Sequence, residues 1–331
     1  MLSKVMNEFA TFQRGVRFFS GHRFGVAPVG RGMSAVACAR AVRFVPPRLR
    51  ERLRGAKALA SRFGALLVAA LLSSCRSEPP LPPGARELGA RMVAGKLSRP
   101  GMAYELPYRL FVPAGYSAGH AYPLIVFLHA SGSNGTDNLS QLTPAVGVLI
   151  ERSQAVEPAF VLVPQVPESD KWVSGSVGPP FLNYRQSDRP QSPAAQLVLV
   201  GLDELATQYT IDPDRIYLTG VSAGGAGTWD LLTRNGIGRF AAAVPITGAN
   251  DPSRAAVIAR LPIWTFHGAD DDVSPASNTR EMVRNLRALG SPVRYTEYLG
   301  VGHNSGRRAY DEPELFPWLF AQRRGTDAAR P

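Results

Sequence analysis

Three short stretches of this chain carry the residue types that nucleophilic acyl transfer needs. They are Gly220-Val221-Ser222-Ala223-Gly224, the aspartate run Asp270-Asp271-Asp272, and Gly302-His303. A serine hydroxyl attacks a carbonyl only when a base removes its proton, and an imidazole does this at neutral pH. A carboxylate must in turn fix the imidazole tautomer and stabilise the imidazolium that forms. Serine, acid and histidine occur here in that chain order, far apart in sequence, so folding has to bring them together.

The flanking segments read as elements able to do so. Arg215 to Thr219 is an apolar, β-branched run that reads as a buried strand, and Gly225 to Leu232 can continue as a helix. Strand, sharp turn and helix around G-x-S-x-G make a nucleophile elbow, whose glycines leave room for the helix to approach the strand. Pro262 to Phe266 and Val293 to Leu299 read as further strands, followed by the aspartate run and by His303. Loops after parallel strands share one sheet edge, so the three side chains can converge.

The pattern resembles serine carboxylesterases of the α/β-hydrolase superfamily over about residues 102–318. It is nearest to the branch with predicted peptidases, phospholipase/carboxylesterase-like enzymes and depolymerase-like esterases. The G-x-S-x-G-G run ending at Gly225, Leu162-Val163-Pro164-Gln165 with Trp172 after it, and Asp212-Pro213-Asp214-Arg215-Ile216-Tyr217 carry the likeness. Dienelactone hydrolases share much of it but use a cysteine where this chain has Ser222. The implied fold is a mostly parallel central sheet with helices on both faces. In the register of the family's H-G-x-x-D-x-x-V-P loop the acid is Asp271, with Asp270 as its rival and Ser274 standing in the valine's place. Tyr122 to Leu128 is an early central strand, and the loop from His129 resembles L-H-G-x-G with Ala130 for the first glycine. The resemblance implies an oxyanion hole of backbone N–H groups from Ala130 or Ser131 and from Ala223. His129 and His267 match loop-holding positions. Trp172, Phe181 and Tyr184 either form a substrate pocket or pack their loop down. The implied activity is hydrolysis of a small-molecule or polymer-derived ester. An amidase or peptidase with the same triad, and a non-catalytic binder on the same scaffold, are the alternatives.

Charge and cysteine usage narrow the classes further. The formal net charge is +11, but residues 1–74 hold 13 basic and two acidic side chains, which accounts for all of it. The remainder is neutral and lacks the basic excess of a nucleic-acid-binding surface. Basic Arg48 to Arg62, apolar Gly64 to Leu72 and Ser73-Ser74-Cys75 read as a signal peptide too short to span a bilayer. Leu72-Ser73-Ser74-Cys75 resembles a lipobox, which implies lipidation of Cys75 and an extracytoplasmic, membrane-tethered enzyme, with the outer membrane favoured. An ordinary signal peptide is the alternative. The division expected is a leader over 1–74, a proline-rich linker and lead-in over 75–100, a catalytic domain over 101–323 and a tail over 324–331. Only Cys38 and Cys75 occur, so the domain has no disulfide, and its histidines lack metal-ligand spacing. No cofactor is called for, and nothing fixes an oligomeric state.

Overall fold

The computed structural model describes residues 80–175, 184–235 and 238–325. The stretch read as leader and signal peptide, with Cys75, and also Phe181 and the last residues lie outside the described residues. Eight strands form one sheet in the order β1-β2-β4-β3-β5-β6-β7-β8. They are β1 (Val93–Leu97), β2 (Leu106–Phe111), β3 (Tyr122–Leu128), β4 (Phe160–Pro164), β5 (Ile211–Val221), β6 (Ala242–Ile246), β7 (Trp264–Gly268) and β8 (Arg294–Tyr298). The β1–β2 and β2–β4 pairs are antiparallel, and every other pair is parallel. This is the α/β-hydrolase fold that the sequence led us to expect.

Period-two alternation decides which side chain meets which layer. In β3, Leu124, Val126 and Leu128 join one core, while Ile125 and Phe127 join the other. The first core is closed by α3 (Pro193–Gln208), α4 (Ala223–Asn235) and α5 (Ala276–Ala288); the second by α1 (Ala85–Ala90), α2 (Pro144–Val156), α6 (Gly306–Tyr310) and α7 (Leu315–Phe320). Both faces are covered, so the central strands are continuously apolar rather than alternating with polar residues. Each of those buried aliphatic side chains contributes about 1.5–3 kcal/mol of burial.

Helix starts follow local capping chemistry. Ser192 Oγ accepts from the Ala195 N–H at 3.1 Å, and Pro193 fills the first helical position of α3. The same hydroxyl donates to the Trp172 carbonyl at 2.8 Å, tying that helix to the loop after β4.

Two boundaries differ from expectation. The stretch read as linker and lead-in over 75–100 contains α1 and β1, and β1 pairs with β2 from Val93↔Leu110 to Leu97↔Leu106. The strand is short and mostly exposed at the sheet edge, so it lacks the alternation that would reveal it. At the other end, Arg324 is no free tail residue: its backbone N–H donates to the Asp214 carbonyl at 2.9 Å. Among the described residues no helix is long and apolar enough to cross a membrane.

Candidate active site

Ser222 stands between β5 and α4 with φ +57°, a left-handed conformation rare for a residue with a Cβ. Its N–H donates to the Ile246 carbonyl at 2.9 Å, and its carbonyl accepts from the Ala226 N–H at 2.9 Å. Both bonds hold the turn against β6 and α4. Close approach is what demands glycine at Gly224: a Cβ there would lie 1.9 Å from the Leu128 carbonyl oxygen at the end of β3. The elbow is thereby pressed against the loop that follows β3.

His303 and Asp271 arrive from the loops after β8 and β7. His303 Nε2 lies 2.8 Å from Ser222 Oγ, and His303 Nδ1 lies 2.8 Å from Asp271 Oδ2. Gly268 permits this approach, since a Cβ there would meet the Gly302 carbonyl oxygen at 2.2 Å. Asp271 is buried, whereas Asp270 and Asp272 are exposed. Asp271 Oδ1 accepts from the N–H groups of Val273 at 3.0 Å and Ser274 at 2.8 Å. Those bonds orient the carboxylate and leave Oδ2 for the imidazole. Carboxylate to Nδ1 and hydroxyl to Nε2 is the geometry that lets an imidazole take a serine proton.

The loop after β3 is fastened from two sides. Buried Gln165 donates to the Ser133 carbonyl at 3.2 Å and to Asp137 Oδ1 at 2.7 Å, and its Oε1 accepts from the Asn138 N–H at 2.7 Å. Ala130 has φ −71° and ψ 161°, an ordinary extended conformation, so alanine in the place of the family's glycine carries no strain. The Ala130 carbonyl lies 2.8 Å from His129 Nδ1 and accepts from the Ser133 N–H at 3.1 Å. Ser131 and Ala223 line the cavity with Ser222 and His303, and Ala130 precedes Ser131 in the loop without lining the cavity. Ala223 opens α4, so its N–H has no carbonyl four residues back, and the helix dipole favours negative charge there.

His129 is buried and must stay neutral. Its Nε2 accepts from the Val166 N–H at 3.0 Å, so the ring proton sits on Nδ1 and goes to the Ala130 carbonyl. Burial pushes its pKa from 6.5 down to about 4. Between those values the unfolded chain binds more protons than the folded one, so stability falls as pH drops from 6.5 toward 4. The shift corresponds to about 3 kcal/mol of acid destabilisation. Urea unfolding at pH 7 and pH 4.5 should show it. His129→Gln, which can replace both hydrogen bonds without titrating, should remove the share of that difference due to His129 and leave the share of buried His267.

A cavity of about 720 Å³ opens over Ser222, lined on its apolar side by Trp172, Val173, Ala226, Ala249 and Val273. Trp172 is a wall as well as a strut, since its Nε1 donates to the His129 carbonyl at 2.9 Å. Tyr184 is no pocket residue. Its hydroxyl donates to buried Asp230, which also holds Arg234 Nε at 2.9 Å, and its ring packs behind Val173, Ala226 and Ala249. Asp230 lies 46 positions along the chain, which is why the choice between pocket and packing was open in the sequence. Polar lining comes from Asn134, Thr247 and Ser274, with Glu168 and Lys171 at the exposed rim.

Thr247 and Ala249 were not singled out in the sequence. They follow β6, whose run Ala242-Ala243-Val244-Pro245-Ile246 was a legible signal for another strand end at the same sheet edge. Thr247 has φ +47°, a strained conformation for a β-branched residue, and among the described residues its buried hydroxyl has no partner. Strain therefore sits at two neighbouring positions, Ser222 and Thr247, each one residue past the end of adjacent strands β5 and β6. Among the described residues no group of three or more potential ligands could hold a metal ion.

Comparison with known proteins agrees with this architecture. The model of the dienelactone hydrolase family matches residues 185–312, a span that includes Ser222, Asp271 and His303. Acyl-protein thioesterase 1 of Gibberella zeae is 26% identical over 224 residues, covering 58% of this chain and 88% of that protein. The crystal structure of a thermostable esterase is 37% identical with a TM-score of 0.65 and covers 72% of this chain. The match extends over 64% of that esterase, so this chain spans less than two thirds of its length. A ferulic acid esterase, 16% identical at TM-score 0.52, shares the fold. These likenesses support a serine hydrolase of the α/β-hydrolase superfamily.

Proposed function

We propose that the protein hydrolyses carboxylic esters through an acyl-enzyme on Ser222. The observation that carries this reading is the continuous hydrogen-bonded path from Ser222 Oγ through His303 to buried Asp271, at the floor of a cavity. His303 takes the serine proton as Oγ attacks the ester carbonyl, then delivers it to the leaving alcohol. Asp271 holds the imidazole and stabilises its charged form. The N–H groups of Ser131 and Ala223 receive the oxygen that becomes negative in the tetrahedral intermediate. Water, activated by the same imidazole, then releases the acid. An apolar wall with a polar rim suits an acyl group of moderate size with its alcohol portion toward solvent.

Support for ester over amide chemistry comes from the thermostable esterase at 37% identity. The discriminating experiment compares p-nitrophenyl esters of increasing acyl length with the matching anilides. Ester turnover far above anilide turnover is expected. The reverse order would assign the site to amide hydrolysis, and absence of turnover on both would assign it to binding.

Export and lipidation at Cys75 rest on the sequence of the leader alone. We propose them on that basis, with Cys75→Ser expected to release the enzyme from the membrane fraction or to leave an unprocessed precursor.

A further inference from the structure

The Asp271 carboxylate is shared by two imidazoles. Oδ2 lies 2.8 Å from His303 Nδ1 and 3.2 Å from His267 Nε2, and both His267 and the Asp271 side chain are closed to solvent. His267 Nε2 is also 2.7 Å from the Ser274 carbonyl oxygen. A carbonyl only accepts, so this nitrogen carries a proton, and its N–H lies between the Ser274 oxygen and Oδ2. Burial pushes the His267 pKa down, so the ring is neutral and its Nδ1 is bare. The hydroxyl of Thr279, buried on α5 and 2.9 Å away, donates to Nδ1.

We infer that His267, held by Thr279, is a positioning residue that shares Asp271 Oδ2 with His303 and thereby limits how strongly His303 holds a proton. The inference rests on the triad reading above. An N–H aimed at a carboxylate oxygen draws on the same negative charge that stabilises the imidazolium of His303. With His267 and the Asp271 side chain both closed to solvent, that competition is screened little. A neutral His267 therefore keeps His303 available as a base to lower pH than a carboxylate held by His303 alone would allow. The Thr279 hydroxyl polarises the ring and strengthens its donation.

On the cavity side, His303 shares the lining with Asp170 and with Glu168 and Lys171 of the exposed rim. Across the β7–β8 ladder His267 faces Glu297, whose charge is met by Arg280 of α5 at 2.9 and 2.5 Å and by the Tyr295 hydroxyl at 2.5 Å. Strand β6 presents no ionisable side chain to β7. Asp270 and Asp272 flank the carboxylate in sequence but are exposed.

The pH dependence of kcat/KM tests the inference in full-length protein carrying His267→Phe, Thr279→Val or His267→Gln. The acid limb of the profile should move to higher pH by about half a unit in His267→Phe, the size expected when one neutral donor leaves a carboxylate. Thr279→Val should move it the same way by less. His267→Gln retains an N–H and should hold the wild-type midpoint. If His267→Phe does not fold, the other two variants decide. NMR titration of the His303 Cε1 proton gives the same midpoint without any turnover, so a failure of the esterase reading does not obscure this one. An unchanged midpoint in either His267→Phe or Thr279→Val, whatever happens to kcat or Tm, would overturn the inference. So would a shift in His267→Gln as large as in His267→Phe.

Discussion

Ser222→Ala should lower kcat for ester hydrolysis roughly 10⁵- to 10⁶-fold, the scale seen when a triad nucleophile is removed. The folded state should survive. The serine lines the cavity rather than the core, and the elbow is held by backbone bonds to Ile246 and Ala226, which alanine keeps. Unfolding midpoints should agree within about 1 kcal/mol, since only one hydroxyl hydrogen bond is lost. Steady-state kinetics with one ester and a denaturation curve give both numbers. A variant retaining even a tenth of wild-type activity would mean that Ser222 Oγ is not the attacking atom.

Asp271→Asn should reduce kcat about 10⁴-fold at neutral pH, because an amide in this position no longer fixes the tautomer that presents a free Nε2 to the serine. Asp270→Asn should change kcat less than threefold. The Asp270 side chain is exposed, and its backbone N–H already donates to the Val301 carbonyl at 3.0 Å. The comparison is sharp because the two carboxylates are adjacent in sequence and differ in burial and partners. Parallel kinetics on the two variants would reveal an error of register: a damaging Asp270→Asn beside a mild Asp271→Asn would move the acid by one position.

The elements that position the site were legible because they are central. β3, β7 and the part of β5 from Tyr217 to Gly220 are buried, so these stretches are mostly apolar, and the chain leaves β5 and β7 at Ser222 and Gly268. The acid loop was legible despite Ser274 in the valine's place, and the structure gives the reason. Ser274 acts through its backbone, N–H to Asp271 and C=O to His267, so the pattern survives a change of side chain. What escaped is what depends on partners distant in sequence. β1 is short and mostly exposed, and only its pairing with β2 makes it a strand. Tyr184 could line a pocket or pack its loop, and its bond to Asp230, distant in sequence, decides for packing. Thr247 carries no motif, and its interest comes from a backbone angle. His267 was recognisable as a loop-holding residue, but its second contact with Asp271 Oδ2 is a matter of distances that no spacing encodes.

Nucleophilic Ser222 is the claim on which the rest depends, and covalent labelling tests it most directly. Wild-type protein should be incubated with a fluorophosphonate, digested, and the adduct located by mass spectrometry. One phosphonylated site is expected, on the peptide containing Gly220 to Gly225, with Ser222 as the modified residue. Labelling should be lost in Ser222→Ala and slowed by orders of magnitude in His303→Ala, since the hydroxyl reacts only when the imidazole accepts its proton. An adduct on another residue, or active protein that takes up no label, would contradict the assignment of Ser222 as nucleophile.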